Sequence, residues 1–174
     1  MKKKTLALVL ALTLLVAGVV GGTLADQTAE VKNTFTVGDI NIGLTETTTD
    51  YKMVPGNTIA KDPTVTVKAN SEACWLFVKV TESTDLKDFI TYAIAEGWTA
   101  LPGVDGVYYR EVPASAADQT FSVLAGDAVT VKIDVTRAML ETAKTDAPTL
   151  TFKAYAIQRD HFATADAAWA EASK

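Results

Sequence analysis

The stretch Cys74-Trp75-Leu76-Phe77-Val78-Lys79-Val80 decides the fold, because only Lys79 in it is polar. A strand with one face in water alternates apolar and polar residues, whereas a strand that is covered on both faces is apolar on both. The stretch therefore predicts a strand at the centre of a β-sheet with protein on both sides.

Shorter stretches on either side of this one alternate apolar and polar residues, as half-buried strands do. In residues 128–135, Val129, Val131, Ile133 and Val135 share one face. The other candidate strands are residues 35–44, 51–54, 64–68, 91–95, 107–112, 119–124 and 149–157. So many short strands with turn residues between them predict an all-β fold, a jelly-roll-like β-sandwich with short peripheral helices.

Three short helices are predicted from their first residues. Ser83-Thr84-Asp85 is a capping signal for a turn that reaches Ile90, and Thr136 has the same position before residues 137–143. Thr164 begins a C-terminal helix over residues 164–173. That helix is rich in alanine and is marginal in isolation, so we expect it to dock on the sandwich.

The first 25 residues have the pattern of a secretory signal peptide. Three lysines precede an uncharged run that ends in Gly21-Gly22-Thr23-Leu24-Ala25. Cleavage between Ala25 and Asp26 is the preferred prediction, with residues 26–174 as a single secreted domain. The alternative is an uncleaved anchor, because the uncharged run is long enough to cross a bilayer.

The charge of the remaining chain excludes one class of function. The whole chain of 174 residues carries a formal charge of −5, and the three lysines of the signal segment leave the rest at −8. Binding to nucleic acid needs clustered lysine and arginine to contact phosphates. An acidic domain with no basic stripe does not fit that role.

The sequence provides little for catalysis. A zinc peptidase helix needs two histidines, and His161 is the only one in the chain. Cys74 lies in the most apolar stretch, which favours a buried structural thiol, with a disulfide between two subunits as the alternative. We therefore expect a protein that is not an enzyme, with no catalytic residue, metal ligand or cofactor.

Tyr108 and Tyr109 form an aromatic pair, with Trp98 nearby in sequence. Because side chains alternate across a strand, one ring of the pair is expected in the core and the other outside. Tyr109 is the candidate exposed aromatic, and such a ring is typical of a carbohydrate-binding surface.

Several motifs follow one another in a characteristic order. They are the signal segment, Asn33-Thr34-Phe35-Thr36-Val37-Gly38-Asp39-Ile40-Asn41-Ile42, Val54-Pro55-Gly56-Asn57-Thr58-Ile59, Lys61-Asp62-Pro63, the Cys74 stretch, Gly106-Val107-Tyr108-Tyr109-Arg110 and Ala154-Tyr155-Ala156-Ile157-Gln158. In order and spacing the chain resembles the TasA/camelysin family, specifically a branch found in anaerobic Firmicutes. These are secreted proteins of Gram-positive bacteria with signal peptides of the SipW-dependent type.

The resemblance implies a jelly-roll sandwich exported to the cell surface or biofilm matrix, with a signal peptidase of the SipW type as a partner. Family members of the TasA kind form extracellular fibres by donor-strand exchange, in which the freed N-terminal segment of one subunit completes the sheet of the next. Carried onto this chain, the donor is residues 26–37, and its apolar side chains are Ala29, Val31, Phe35 and Val37. The expected state is a homo-oligomer or fibre that meets the membrane only through its signal peptide.

Two other functions remain as alternatives. The camelysin name implies a metallopeptidase, for which this sequence lacks the zinc motif. The tyrosine and tryptophan residues suggest a surface adhesin or a carbohydrate-binding module. Both differ from a structural matrix protein in needing a defined site for a substrate or ligand.

Overall fold

A computed structural model of the protein describes residues 39–48 and 51–174. The signal segment, the predicted cleavage site at Ala25 and Asp26, and the donor residues Ala29, Val31, Phe35 and Val37 lie outside these ranges. The described strands are β1 (Ile42–Thr45), β2 (Thr58–Ala60), β3 (Thr64–Val67), β4 (Cys74–Glu82), β5 (Ile90–Thr91), β6 (Thr99–Ala100), β7 (Val107–Val112), β8 (Gln119–Ser122), β9 (Ala128–Val131) and β10 (Leu150–Gln158). The α-helices are α1 (Leu86–Phe89), α2 (Arg137–Ala143) and α3 (Ala165–Ala172), with single 3-10 turns at Ala125–Asp127 and Arg159–His161.

The longest strands build a four-stranded antiparallel sheet in the order β10-β4-β7-β6. Strand β4 is therefore internal, with β10 on one side and β7 on the other. Leu76 and Val78 face one buried cluster, and Trp75 and Phe77 face another. The prediction of a central strand covered on both faces is confirmed.

Two three-stranded sheets, β1-β3-β8 and β2-β9-β5, continue into each other. The chain passes directly from β2 to β3 and from β8 to β9, and backbone bonds cross both junctions: Lys61 N–H to the Asp127 carbonyl at 2.7 Å and Val123 N–H to the Pro63 carbonyl at 2.9 Å. An isolated bridge between Ile94 and Leu124 extends the pairing beyond β5. The two sheets are thus the halves of one bent layer.

The bent layer and the four-stranded sheet pack on each other through a common apolar cluster. Val65 and Val67 of β3 meet Leu76 and Val78 of β4 there, and all four side chains are fully buried. The protein is therefore a β-rich fold of antiparallel sheets with few and short helices.

The two longer helices begin where the sequence predicts. Thr136 Oγ1 accepts from the Met139 N–H at 3.3 Å, and Thr164 Oγ1 accepts from the Ala167 N–H at 3.3 Å. Trp169 of α3 packs against Phe77 and Tyr155, with ring centroids 5.3 and 5.1 Å apart. The C-terminal helix accordingly docks on the outer face of the four-stranded sheet.

Two local predictions are wrong because a turn replaces a strand, and a third, the strand over residues 91–95, is right only in part. Residues 51–54 are not a strand, and the Val54 carbonyl instead accepts from the Asn57 N–H in the Pro55-Gly56 turn. Residues 91–95 are paired continuously only through Thr91. Strand β9 ends at Val131, where a turn leaves the Ile133 side chain 80% exposed although it was expected in the core. Strands β2 and β6 were not predicted, since two or three residues are too few to show a period.

Candidate functional site: an unpaired sheet edge

Strands β1 and β10 lie at the edges of their respective sheets and face each other across the side of the fold, forming what we call the seam. Ile40 and Ile42 pack on the same core cluster as Phe152, Ala154 and Ala156. Among the described residues, no strand pairs with the outer edge of either β1 or β10. Along the seam, β1 and β10 thus lie side by side without a ladder of backbone hydrogen bonds between them.

The register shows which backbone groups of β10 point into the seam. The Arg159 N–H donates to the Ala73 carbonyl and the Ser83 N–H donates to the Thr149 carbonyl, both at 2.9 Å. These bonds flank the β10–β4 ladder and share its register, so odd-numbered residues of β10 bond to β4. Even-numbered residues therefore direct their N–H and C=O groups outward.

Four consecutive outward positions of β10 have no backbone hydrogen bond in the described part of the chain. They are Leu150, Phe152, Ala154 and Ala156. The same reasoning applies to β1, because the Lys68 N–H donates to the Asn41 carbonyl at 2.8 Å. Ile42 and Leu44 of β1 therefore also direct their backbone groups outward. A sheet edge of this length is a template for another strand.

A cavity lies at each end of the seam. At one end, which we call the Asp39 end, Asp39, Ile40, Ala156, His161 and Phe162 line a cavity of about 490 Å³. At the other, the Leu44 end, Leu44, Glu46, Pro63, Leu150 and Phe152 line one of about 310 Å³. Both cavities combine apolar side chains of the core with polar groups at the surface.

A buried ion pair lies beside the Leu44 end. Lys61 Nζ is 2.6 Å from Glu46 Oε1, and the two side chains are 9% and 19% exposed. The same Glu46 oxygen accepts from the Tyr51 hydroxyl at 2.8 Å, and Lys61 Nζ lies 4.6 Å from the Tyr51 ring centroid and 5.5 Å from that of Phe152. Burial, and secondly the bond to Glu46, raises the pKa of Tyr51 above its usual value.

The loop after β1 is also held by a carboxylate. Asp62 accepts from the Thr47 N–H at 2.9 Å and from the Thr47 hydroxyl. These two bonds hold the pKa of Asp62 below its usual value. The chain that follows β1 is therefore tied to the segment between β2 and β3, next to the seam.

The opposite edge of the four-stranded sheet differs from the seam. Strand β6 has only two residues, and short edge strands are one way in which proteins prevent unwanted pairing. On the inner face nearby, the Arg110 guanidinium stacks on Phe121 at 3.9 Å from the ring centroid and lies 5.4 Å from that of Trp98. Of the two edge strands of this sheet in the described part of the chain, β10 is thus the long one.

Tyr109 is half-buried, so it is not the exposed aromatic that the alternation predicts. Its ring lies 5.8 Å from that of Trp75, because the outer face of the sheet is itself covered around α3. Tyr108 is half-buried on the inner face, and Trp98 is only 9% exposed. The aromatic side chains singled out from the sequence therefore belong mainly to the core.

A tyrosine-lined cleft exists elsewhere. Tyr92 and Tyr108 line two adjoining cavities of about 390 Å³ each, together with Glu82. The Tyr92 hydroxyl donates to Glu82, and burial together with this bond raises the pKa of Tyr92. Tyr92 falls in a stretch that the sequence assigned to an ordinary strand, so no pattern marked it as part of a cleft.

Cys74 is fully buried, and burial raises the pKa of its thiol to about 11. A disulfide to a second subunit needs an accessible thiolate, so that alternative does not fit this structure. His161 is exposed on the 3-10 turn after β10. Within residues 39–48 and 51–174, no three histidine, cysteine or carboxylate side chains are grouped as metal ligands would be.

No helix of the described residues is long and apolar enough to cross a membrane. The chain matches no protein-family model, no curated protein and no solved structure.

Proposed function

We propose that the protein is a secreted structural protein of the cell surface or biofilm matrix, which assembles by adding a strand from one copy to the seam of the next. The observation that carries this proposal is the row of four outward-facing positions on β10 that make no backbone hydrogen bond within residues 39–48 and 51–174. Strand addition at such an edge takes its affinity from backbone hydrogen bonds and its specificity from alternate side chains.

The strand to be added is residues 26–37 of a second copy, freed by a signal peptidase of the SipW type. Its apolar residues Ala29, Val31, Phe35 and Val37 all occupy odd-numbered positions, which they share with Gln27 and Asn33, and the inward-facing side chains along β10 belong to the apolar core cluster. Cleavage after Ala25 is then the event that permits assembly. The likeness to the TasA/camelysin family supports the same assignment.

The architecture that we propose for the fold is a jelly roll. In favour of it, the chain moves repeatedly between the two layers: β3 lies in the bent layer, β4 in the four-stranded sheet, β5 again in the bent layer, and β6 and β7 in the four-stranded sheet. Strands β8 and β9 then return to the bent layer before β10 completes the other sheet. Such alternation between two antiparallel sheets is typical of double-layer jelly rolls.

Proline at Ala154 tests the role of the β10 edge. The Ala154 N–H points away from β4, so proline removes an outward donor while leaving the β10–β4 ladder intact. We expect the variant Ala154→Pro, secreted through its own signal, to remain folded but to lose polymers in size-exclusion chromatography and negative-stain microscopy.

The opposite edge provides a matched control. Ala100 of β6 also directs its N–H outward, because the Leu101 N–H bonds to the Val107 carbonyl in the same register. Ala100→Pro likewise removes one outward N–H donor, but at the short β6 edge. This variant should polymerise as the unchanged protein does. Normal polymers from Ala154→Pro, or an equal loss from both variants, would contradict assembly through β10.

A further inference from the structure

The cleft around Tyr92 and Tyr108, which we call the tyrosine cleft, lies where the two layers of the fold meet. Tyr108 belongs to β7 and is held by the ladder between β7 and β4. Tyr92 follows β5, and the Ala95 N–H just beyond it donates to the Val123 carbonyl at 2.9 Å. Both tyrosines line both cavities of the cleft, and hydrogen-bonded backbone holds each of them in position.

The two tyrosine side chains suit the face of a sugar ring. Both are half-buried and pack on the apolar core with part of their surface, so the rest is accessible from the cleft. A sugar ring in the pyranose form presents C–H groups on its faces and hydroxyl groups around its rim. Aromatic rings with a polar hydroxyl bind such a ligand through the apolar face and the polar rim together.

Two lysines line one side of the tyrosine cleft, which we call the lysine side. Lys87 is an exposed residue of α1, and Lys132 is half-buried just after β9. The Lys132 N–H donates to the Phe89 carbonyl at 2.9 Å, so the end of α1 and the end of β9 are tied together. Both lysines therefore border the same cavity, of about 390 Å³.

The lysine side has an excess of positive charge. The five ion pairs of residues 39–48 and 51–174 involve neither Lys87 nor Lys132. Glu82 is the one carboxylate of those residues that lines this cavity, and it accepts from the Tyr92 hydroxyl. Two ammonium groups thus face one carboxylate, although the whole chain carries a formal charge of −5. Such a site attracts an anionic group.

The other side of the tyrosine cleft has no such excess. Lys79 lines it together with Asp105 and Glu82, so carboxylates outnumber ammonium groups there. Carboxylates accept hydrogen bonds from hydroxyl groups, which every sugar provides. The cleft is therefore suited to a ligand that carries hydroxyl groups along its length and an acidic group at the lysine side.

We propose that the tyrosine cleft binds a segment of an acidic polysaccharide, with sugar rings against Tyr92 and Tyr108 and a sugar carboxylate between Lys87 and Lys132. A polymer of glycerol phosphate supplies the negative charge but has no ring to lie on the tyrosines. The cleft shares no lining residue with the seam, so the proposal does not depend on how copies of the chain assemble.

Calorimetric titration of the secreted protein tests the class of ligand. The probes are tetramers of galacturonate and of mannuronate, the methyl esters of both, and an oligomer of glycerol phosphate of equal charge. We expect at least one acidic tetramer to bind, its affinity to fall with added salt, and its methyl ester to bind about tenfold more weakly. The glycerol phosphate oligomer should bind more weakly than that tetramer.

A double variant tests the position of the site. Lys87→Gln/Lys132→Gln should weaken binding of the acidic tetramer by about tenfold, to the level of its methyl ester. Lys144→Gln/Lys174→Gln is the matched control, because it removes the same charge from two exposed lysines outside the cleft. The control should bind as the unchanged protein does.

Three outcomes would overturn the proposal. They are no binding of either acidic tetramer at about 1 mM, equal binding of the methyl ester or of glycerol phosphate, and equal loss in the two double variants. The first excludes the ligand, the second excludes the need for a carboxylate or a ring, and the third shows that charge alone causes the binding. None of them bears on assembly through β10.

Discussion

At the scale of single residues, the Lys61–Glu46 pair holds the loop after β1 in place. Both side chains are largely withdrawn from water, so removing one leaves a buried charge without its partner. We expect Lys61→Met to lower the free energy of unfolding by about 3 kcal/mol, measured by urea denaturation. Methionine removes the charge and is an unbranched side chain like that of lysine.

The double variant Lys61→Met/Glu46→Gln serves as the control for this prediction. Glutamine keeps an acceptor for the Tyr51 hydroxyl but carries no charge, so most of the lost stability should return. A double variant as unstable as Lys61→Met alone would show that packing, not the unpaired carboxylate, causes the loss.

At the scale of elements, α3 is stabilised by its contact with the sheet more than by its own sequence. Trp169 is the large side chain through which it meets Phe77 and Tyr155. We expect Trp169→Ala to detach the helix and to cost about 2 kcal/mol, since the ring is only half-buried. Hydrogen exchange should become fast in residues 165–172 and stay slow in β4.

Trp169→Phe is the matched control, because a smaller ring preserves the aromatic contact. Protection of residues 165–172 in this variant should remain near that of the unchanged protein. If Trp169→Ala also leaves that protection unchanged, the helix is held by Ala165 and Ala168, which are buried against the same cluster.

Elements could be predicted from the sequence where one physical signal acted alone. The apolar run of β4 and the caps at Thr136 and Thr164 are local, and each was placed correctly. Ile133 was misplaced because the apolar alternation of β9 continues beyond Val131, whereas the strand stops where its neighbours end. Which backbone groups of β10 face outward depends on the register in which β10 pairs with β4. The sequence of β10 alone does not specify that register.

At the scale of the whole molecule, stability should fall on the alkaline side. Burial is the first cause that raises the pKa values of Tyr51, Tyr92 and Cys74, of which Cys74 rises from 9.0 to about 11. The folded protein keeps these protons to higher pH than the unfolded chain does. The contribution of these three groups to the free energy of unfolding is therefore complete below about pH 9 and is lost as pH rises. Urea denaturation between pH 7 and pH 10.5 measures the decline.

Tyr92→Phe should make that decline shallower, because one of the groups that must lose a proton is gone. On the acid side, backbone and side-chain hydrogen bonds lower the pKa values of Asp62 and Asp118. These two carboxylates contribute to the free energy of unfolding above pH 3.8, the usual pKa of aspartate, and the contribution is lost as pH falls below that value. A stability that stays constant up to pH 10.5 would contradict the alkaline prediction.

The position of β10 at the end of the chain has a consequence for the order of folding. Of the two neighbours of β4 in the sheet, β7 follows it in the chain after two short strands, whereas β10 begins about seventy residues after β4 ends. During synthesis this edge of β4 therefore stays unpaired until β10 has been made. The edge proposed for assembly is thus the last one to be created, so a copy cannot accept a neighbour before its own chain is almost complete.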